Sequence, residues 1–321
     1  MAGEYSKRIG DDGEKIVQVL FKNYLGYPKF PGRSSTPCIK LEEHQKLRKN
    51  TRKSHGNDGI IYGKSKLDDK ILEIGYISVK YSKKPYENTN TQLSSRFKSH
   101  FIDLVTAIEC FNRSEDLAEI QRKSYGVSDT RIIGLLFWLS GNENSKKESI
   151  IEKAAKSILS PIGVPFDEII LVDNDKLQFI FQVVEYASKV ARDSYQFVYP
   201  HTGYNILGDT NQSFGSKMPL EYFAYPIIPL RYVIENKIIF HLATKSSFSE
   251  EGLARLITMA KTFDKLLASK SVILSFPDYN ADDHQDIVKK VLTNLDDIEY
   301  SNLVQVINLD SDFRNLLDKE I

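Results

Sequence analysis

Asp58 follows the run His55-Gly56-Asn57, and Lys80 lies in the run Ile77-Ser78-Val79-Lys80-Tyr81. Residues 58–63 have the composition of a short strand, 64–70 of a polar turn, and 71–82 are rich in β-branched and aromatic residues without a helical stripe, so the two runs form a hairpin. Paired strands lie about 5 Å apart, so an Asp at the start of one and a Lys on its partner can converge on one point. Such a pair suits metal-assisted phosphodiester hydrolysis. The carboxylate holds a divalent ion, the ion acidifies a water and offsets charge on the phosphate, and the ammonium orients the nucleophile. The same residues also suit a surface hairpin with an Asx turn at Asn57-Asp58-Gly59 and a solvated lysine, and by themselves they leave both readings open.

Charge favours a polyanion near this hairpin. Residues 1–100 carry 20 Lys and Arg against 11 Asp and Glu, and the remaining residues carry 23 against 32, so a net charge of zero hides a basic front third. Any phosphate-backbone contact belongs there, since the acidic remainder would repel it. The basic residues Lys46, Arg48, Lys49, Arg52 and Lys53 fall in a stretch, 44–55, that reads as a mobile loop. With Lys83 and Lys84 they flank the hairpin on both sides and form the expected polyanion-facing surface. Solvated surface charge accounts for the same residues without a ligand.

The elements that must hold these groups follow from hydrophobic spacing. Ile16, Val19, Leu20 and Tyr24 predict a helix over 11–25, stopped by Gly26 and Pro28, and the proline-rich 27–37 is irregular. Phe97, Phe101, Leu104, Ile108 and Phe111 mark a second, strongly amphipathic helix. Residues 131–140 and 166–172 are apolar runs typical of strands buried on both faces, with helices over 146–159 and 177–191. After Arg192 the chain turns rich in Tyr, Pro and Gly, which places a boundary between 1–192 and 193–321. The second part alternates a strand at 231–243, a helix at 249–267, a strand at 272–276, a helix at 283–295, a strand at 303–307 and a short terminal helix. Its tyrosines between 195 and 225 suit an interface with a partner protein, or simply the packing of the junction.

Composition excludes several classes. Hydrophobic residues at 41% and charged residues at 27% support an ordinary core, and no apolar run approaches the length of a membrane span. The first residues lack the apolar segment of a secretory signal, so a cytoplasmic protein is expected. Two cysteines, Cys38 and Cys110, cannot build a disulfide framework. Cys38 and His44, six apart with no second pair, make a poor zinc signature. Asp173 at a strand end lacks a glycine-rich loop, and 200–204 reads as an ordinary turn.

Gly13-Glu14 in the first helix, Asp58 before a glycine, and Ser78-Val79-Lys80 on the next strand, followed by an amphipathic helix and a buried strand, resemble the PD-(D/E)XK nuclease superfamily in its αβββαβ order. The resemblance implies a restriction-endonuclease-like α/β core followed by a smaller α/β unit. More narrowly, Ser6-Lys7-Arg8-Ile9-Gly10, His55-Gly56-Asn57-Asp58-Gly59, Phe97-Lys98-Ser99-His100, Ile108-Glu109-Cys110-Phe111-Asn112 and Ala260-Lys261-Thr262-Phe263-Asp264 resemble the nuclease-like subunit of a two-gene bacterial anti-phage system carried on gamma-mobile-trio elements, over the whole chain. Membership implies DNA as target, Mg²⁺ or Mn²⁺ as ion, the protein product of the adjacent gene as partner, and a hetero- or homo-oligomer.

One departure bears on activity. Two residues before the lysine, where the superfamily has an acid, this chain has Ser78. The ion would then rest on Asp58, the Val79 carbonyl and a carboxylate from elsewhere: Glu14, which matches a helix-borne acid of the superfamily, then Glu73, then Glu109. Glu73 is an odd number of residues from Ser78 and faces away unless a bulge at Gly75 resets the register. Glu14 also suits simple dipole stabilisation at a helix start. His100 on the second helix is placed to touch phosphate or merely to sit exposed. Two functions follow: an active metal-dependent DNA endonuclease subunit, or a catalytically inactive nuclease fold that binds DNA or a partner as sensor or scaffold.

Overall fold

The alternation of β-branched and aromatic residues over 71–82 makes this stretch the spine of a sheet. The computed structural model describes residues 2–48 (the backbone alone at 2–7 and 48), 53–157, 163–192, 194–205, 213–264 and 269–320. Strand β4 (Ile71–Ser82) pairs antiparallel with β3 (Gly59–Lys64) and parallel with β5 (Asp129–Ser140), beyond which β6 (Glu168–Val172) runs parallel, in the order β3-β4-β5-β6. The β3–β4 register is unbroken from Gly59 opposite Ile77 to Lys64 opposite Leu72, so Gly75 carries no bulge.

Even-numbered side chains of β4 and β5 face one way. Leu72, Ile74, Tyr76, Ile132, Leu136 and Trp138 form a core with Phe97, Phe101, Leu104, Ile108 and Phe111 of helix α3 (Asn90–Phe111). That helix starts at Thr89, whose side chain accepts the Gln92 N–H and satisfies a donor left unpaired by the helix itself. Helix α1 (Ala2–Val19) lies on the opposite face, with Gly13 against Val79 and Tyr81, and Phe21 packs edge-on to Phe137. The expected helix over 11–25 therefore begins earlier, at residue 2, and its last turn widens into a π-helical turn over Leu20–Tyr24.

Two expectations for the segment before the sheet are corrected. The irregular stretch 27–37 ends in β1 (Ser34–Pro37), and the basic stretch 44–55 is not a loop throughout: α2 (Leu41–Arg48) precedes β2 (Ser54–Asn57), which pairs antiparallel with β1. Leu41, His44 and Leu47 turn inward at three-residue steps, His44 wholly buried, while Lys46 and Lys53 are exposed. Lys49 and Arg52, and the side chain of Arg48, lie outside the described residues. The sequence order α1, β2, β3, β4, α3, β5 thus contains β2 in a separate two-stranded sheet. A short helix α4 (Glu115–Arg122) follows α3, and of the expected helix 146–159 only α5 (Ile151–Ala155) forms within the described residues.

The chain divides into two units, residues 1–23, 27–178 and 314–321, and residues 24–26 and 179–313. The division falls inside helix α6 (Asn174–Ala191) rather than at 192, and the last residues return to the first unit. The second unit holds a six-stranded sheet built of β7 (Gln196–Val198), β8 (Phe214–Gly215), β9 (Ile227–Ile234), β10 (Lys237–Thr244), β11 (Ser271–Ser275) and β12 (Val304–Ile307), in the order β12-β11-β10-β9-β7-β8. The expected single strand 231–243 is a hairpin, β9 and β10, which turns at Glu235 and Asn236 with φ of 48° and 63°. Positive φ at both turn positions matches the twist of the flanking strands. Tyr195, Tyr199 and Tyr222 are buried here, their hydroxyls donating to the carbonyls of Tyr24, Lys217 and Val198, so they pack the unit's interior; only Tyr204 and Tyr225 of that group are exposed. Among the described residues no helix is long and apolar enough to cross a membrane.

Candidate active site

Asp58 occupies the bend between β2 and β3 and is fastened to β4 at two points. Its N–H donates to the Ile77 carbonyl at 3.0 Å, and its Oδ2 accepts the Val79 N–H at 2.6 Å. The second bond takes a backbone donor of β4 beyond the end of the ladder and fixes the carboxylate's orientation. On β4, Tyr76, Ser78 and Lys80 share the face turned to α3, because strand side chains alternate. Asp58, Tyr76, Ser78 and Lys80 line one cavity of about 150 Å³, closed by β2 and by Asp103, Leu104 and Ala107 of α3. Asp103 is a carboxylate that sequence reasoning overlooked. Its signal was a second stripe on the amphipathic helix: His100, Asp103, Ala107 and Cys110 recur at steps of three, four and three beside the apolar one.

Lys80 also borders a larger cleft of about 590 Å³, lined among others by Lys84, Arg96, His100 and Trp138. Arg96 is ion-paired with Glu87 at 2.5 Å, and His100 meets the Trp138 ring edge-on at 5.2 Å between centroids. Burial, reinforced by the charges of Lys80 and Arg96, holds the His100 imidazole down at about 4. It is neutral at pH 7 and offers a hydrogen bond rather than a positive charge. Lys83 pairs with Asp12 at 3.4 Å.

The other expected acids stand elsewhere. Glu14 sits on α1, across the sheet from α3, where Arg33 Nε donates to it at 2.8 Å and bridges it to Asp11. Burial pushes the Glu14 carboxyl up; Arg33 opposes this and the negative charge of Asp58 adds to it, so Glu14 lies within electrostatic reach of the site without lining the cavity. Glu73 is on the odd-numbered face of β4, as its parity and the unbroken register require, and pairs with Arg131 at 2.7 Å. Glu109 is buried, bonded at 2.8 Å to His44 Nε2 and ion-paired at 2.6 Å with Lys40. Burial alone would raise its carboxyl, but those two partners outweigh it and hold it low. Neither Glu73 nor Glu109 lines the Asp58 cavity.

Among the described residues no three carboxylates converge tightly on one point. A hard divalent ion does not need them to. Mg²⁺ is commonly held by one or two carboxylates, its remaining positions filled by water and substrate phosphate. Asp58, the Ser78 hydroxyl and Asp103 line one cavity with oxygen donors, the ligand chemistry such an ion takes.

A sheet with helices on both faces, an acid at the strand bend and a Ser-Val-Lys run on the adjoining strand define a nuclease-like α/β protein of the PD-(D/E)XK class. The family described as the GAPS4 protein PD-(D/E)XK nuclease domain matches residues 1–176, and the chain belongs to it. That assigns it to the nucleases of a defence system. The match ends within α6 and leaves the second unit outside, so it is shorter than the whole-chain likeness of the sequence blocks. No curated protein and no solved structure matches the chain.

Proposed function

We propose that the chain is a divalent-metal-dependent DNA endonuclease, the nuclease subunit of a two-gene defence complex, with its phosphodiester-cleaving centre in the Asp58 cavity. The observation that carries the reading is the meeting of Asp58, Ser78, Lys80 and Asp103 in one cavity, with Lys80 shared by the adjoining basic cleft. Asp58 and Asp103 would hold a Mg²⁺ or Mn²⁺ ion with help from Ser78; when bound, such an ion acidifies a water and offsets charge on the phosphate. The Val79 N–H keeps the Asp58 carboxylate in one orientation. The Lys80 ammonium binds a non-bridging oxygen of the scissile phosphate and orients the attacking water. Lys84 and Arg96 contact neighbouring phosphates along the cleft, and exposed Lys46 and Lys53 extend that contact. Glu14 acts from behind the sheet edge through its charge on Asp58.

Ser78 supports a second reading, a fold that binds DNA or the adjacent gene's product without cutting. Both are tested by incubating the purified chain, alone and with that partner, with supercoiled and linear DNA in Mg²⁺ or Mn²⁺. Cleavage is expected, abolished in Asp58→Ala and Lys80→Ala and reduced at least about tenfold in Asp103→Asn, with folding unchanged since all three side chains are only partly buried. Full cleavage by Asp58→Ala would remove this centre, and binding without cleavage would establish the scaffold.

A further inference from the structure

Four side chains that the proposed nuclease chemistry does not use meet beside its cavity. Cys38 follows β1, His44 lies on α2, His55 on β2 and Cys110 in the last turn of α3, yet one ligand atom from each falls within 4.8 Å of all the others. His44 Nδ1 is 3.3 Å from Cys38 Sγ, 3.4 Å from His55 Nε2 and 3.6 Å from Cys110 Sγ. Both cysteines are thiols rather than a disulfide. His44, His55 and Cys110 are buried, and Cys38 is half-buried.

A hydrogen bond at His44 Nδ1 accounts for only one of these three contacts. Glu109 Oε2 is bonded to His44 Nε2 at 2.8 Å, and a carboxylate only accepts, so Nε2 carries the proton and Nδ1 presents a single lone pair. One lone pair cannot serve two sulfurs and a nitrogen at once. A cation at their centre serves all four. With bonds of about 2.0–2.1 Å to nitrogen and about 2.3 Å to sulfur, a tetrahedral zinc ion sets its ligands roughly 3.3–3.8 Å apart, the range of the three separations here. The surroundings have the further features of such a centre. Glu109, itself ion-paired to Lys40, fixes the His44 ring and tautomer in the way carboxylates orient ligating imidazoles, and the Ile39 N–H donates to Cys110 Sγ at 3.4 Å. Two thiolates also cancel the ion's charge within a buried site.

We infer that Cys38, His44, His55 and Cys110 form a structural zinc site that fastens β1, α2 and β2 to α3 and thereby holds the wall of the Asp58 cavity. His55 belongs to both, lining that cavity three residues before Asp58. The spacing of the ligands hid the site: they are scattered between residues 38 and 110, with no close pair of cysteines. The inference does not depend on the nuclease reading, because all four ligand positions are saturated by protein and none is left for substrate.

The experiment is metal analysis of the untagged full chain, grown with zinc and purified without chelator. About one zinc per chain is expected, and cobalt(II) exchanged into it should show the strong visible absorption of a tetrahedral thiolate site. Cys38→Ser, at the half-buried position, and Cys110→Ser should each lose most of the zinc, whereas Asp58→Ala should keep all of it. A wild-type chain without zinc and without the cobalt spectrum overturns the inference, and these two measurements need no variant to fold. So does a Cys38–Cys110 disulfide in the purified chain, zinc content unaltered in both cysteine variants, or zinc lost in Asp58→Ala.

Discussion

Lys80 and His100 illustrate how one face of a strand and one stripe of a helix set the chemistry available at the site. The lysine projects between the carboxylate cavity and the basic cleft, and the histidine beside it is kept neutral by burial and by positive neighbours. The folded imidazole titrates at about 4, against an ordinary value of 6.5. Between those values the unfolded chain binds a proton that the folded chain does not, so stability contributed by this group is complete above pH 6.5 and falls as pH drops toward 4. His100→Gln is expected to flatten that part of the stability curve of the full chain, measured by thermal melting at a series of pH values. An unaltered slope would mean that His100 is solvated and charged. At this scale the β4 residues were legible, because a period of two assigns Ser78 and Lys80 to one face and Glu73 to the other before any coordinates exist. Asp103 and the cysteine–histidine group were not. Their partners come from elements distant in sequence, and nothing in local spacing announces that Cys110 will meet Cys38.

Strand β4 has the boundaries its pattern requires, and helix α3 ends with its apolar stripe at Phe111 but starts at Asn90, ahead of the first residue of the stripe, Phe97, within a polar stretch that carries no periodic signal. Helix α2 was hidden because its inward face is only Leu41, His44 and Leu47, and a buried histidine among lysines reads as polar loop. The β9–β10 hairpin looks like one strand in the sequence because its two-residue turn interrupts the apolar pattern too briefly. The first helix is set by a close approach instead. A β-carbon at Gly13 would stand 2.9 Å from Tyr81 Cγ and overlap the Tyr81 β-carbon, so α1 lies on β4 at a distance only glycine permits. Gly13→Ala should gain up to about 1 kcal/mol of helix propensity and lose about 1–3 kcal/mol by overpacking, for a net destabilisation. Chemical denaturation followed by circular dichroism measures it, and a stabilised variant would show that α1 is free to shift away from the sheet.

Over the whole chain the basic character gathers in the part that carries the site, and the acidic remainder includes the second unit, which the family match does not reach. The sequence pattern suggested cutting the molecule in two near residue 192, but the chain does not end where its second unit ends. Residues 314–321 rejoin the first unit. There the Leu317 carbonyl accepts from Lys15 Nζ at 2.6 Å, the Glu320 carbonyl accepts from Asn23 at 2.9 Å, Arg314 pairs with Glu143 at 2.5 Å, and Leu316 is fully buried. Burying one leucine side chain is worth about 1.5–3 kcal/mol, so this short return is a real part of the first unit's stability. A chain ending at residue 313 should therefore exchange the amides of α1 and the following turn, from Lys15 to Asn23, markedly faster than the full chain, while β10 and β11 exchange unchanged. Hydrogen exchange read by mass spectrometry separates the two regions in one experiment. Equal protection of 15–23 in both chains would show that the terminal residues merely lie on a unit that is complete without them, and a first unit could then be made by ending the chain inside α6.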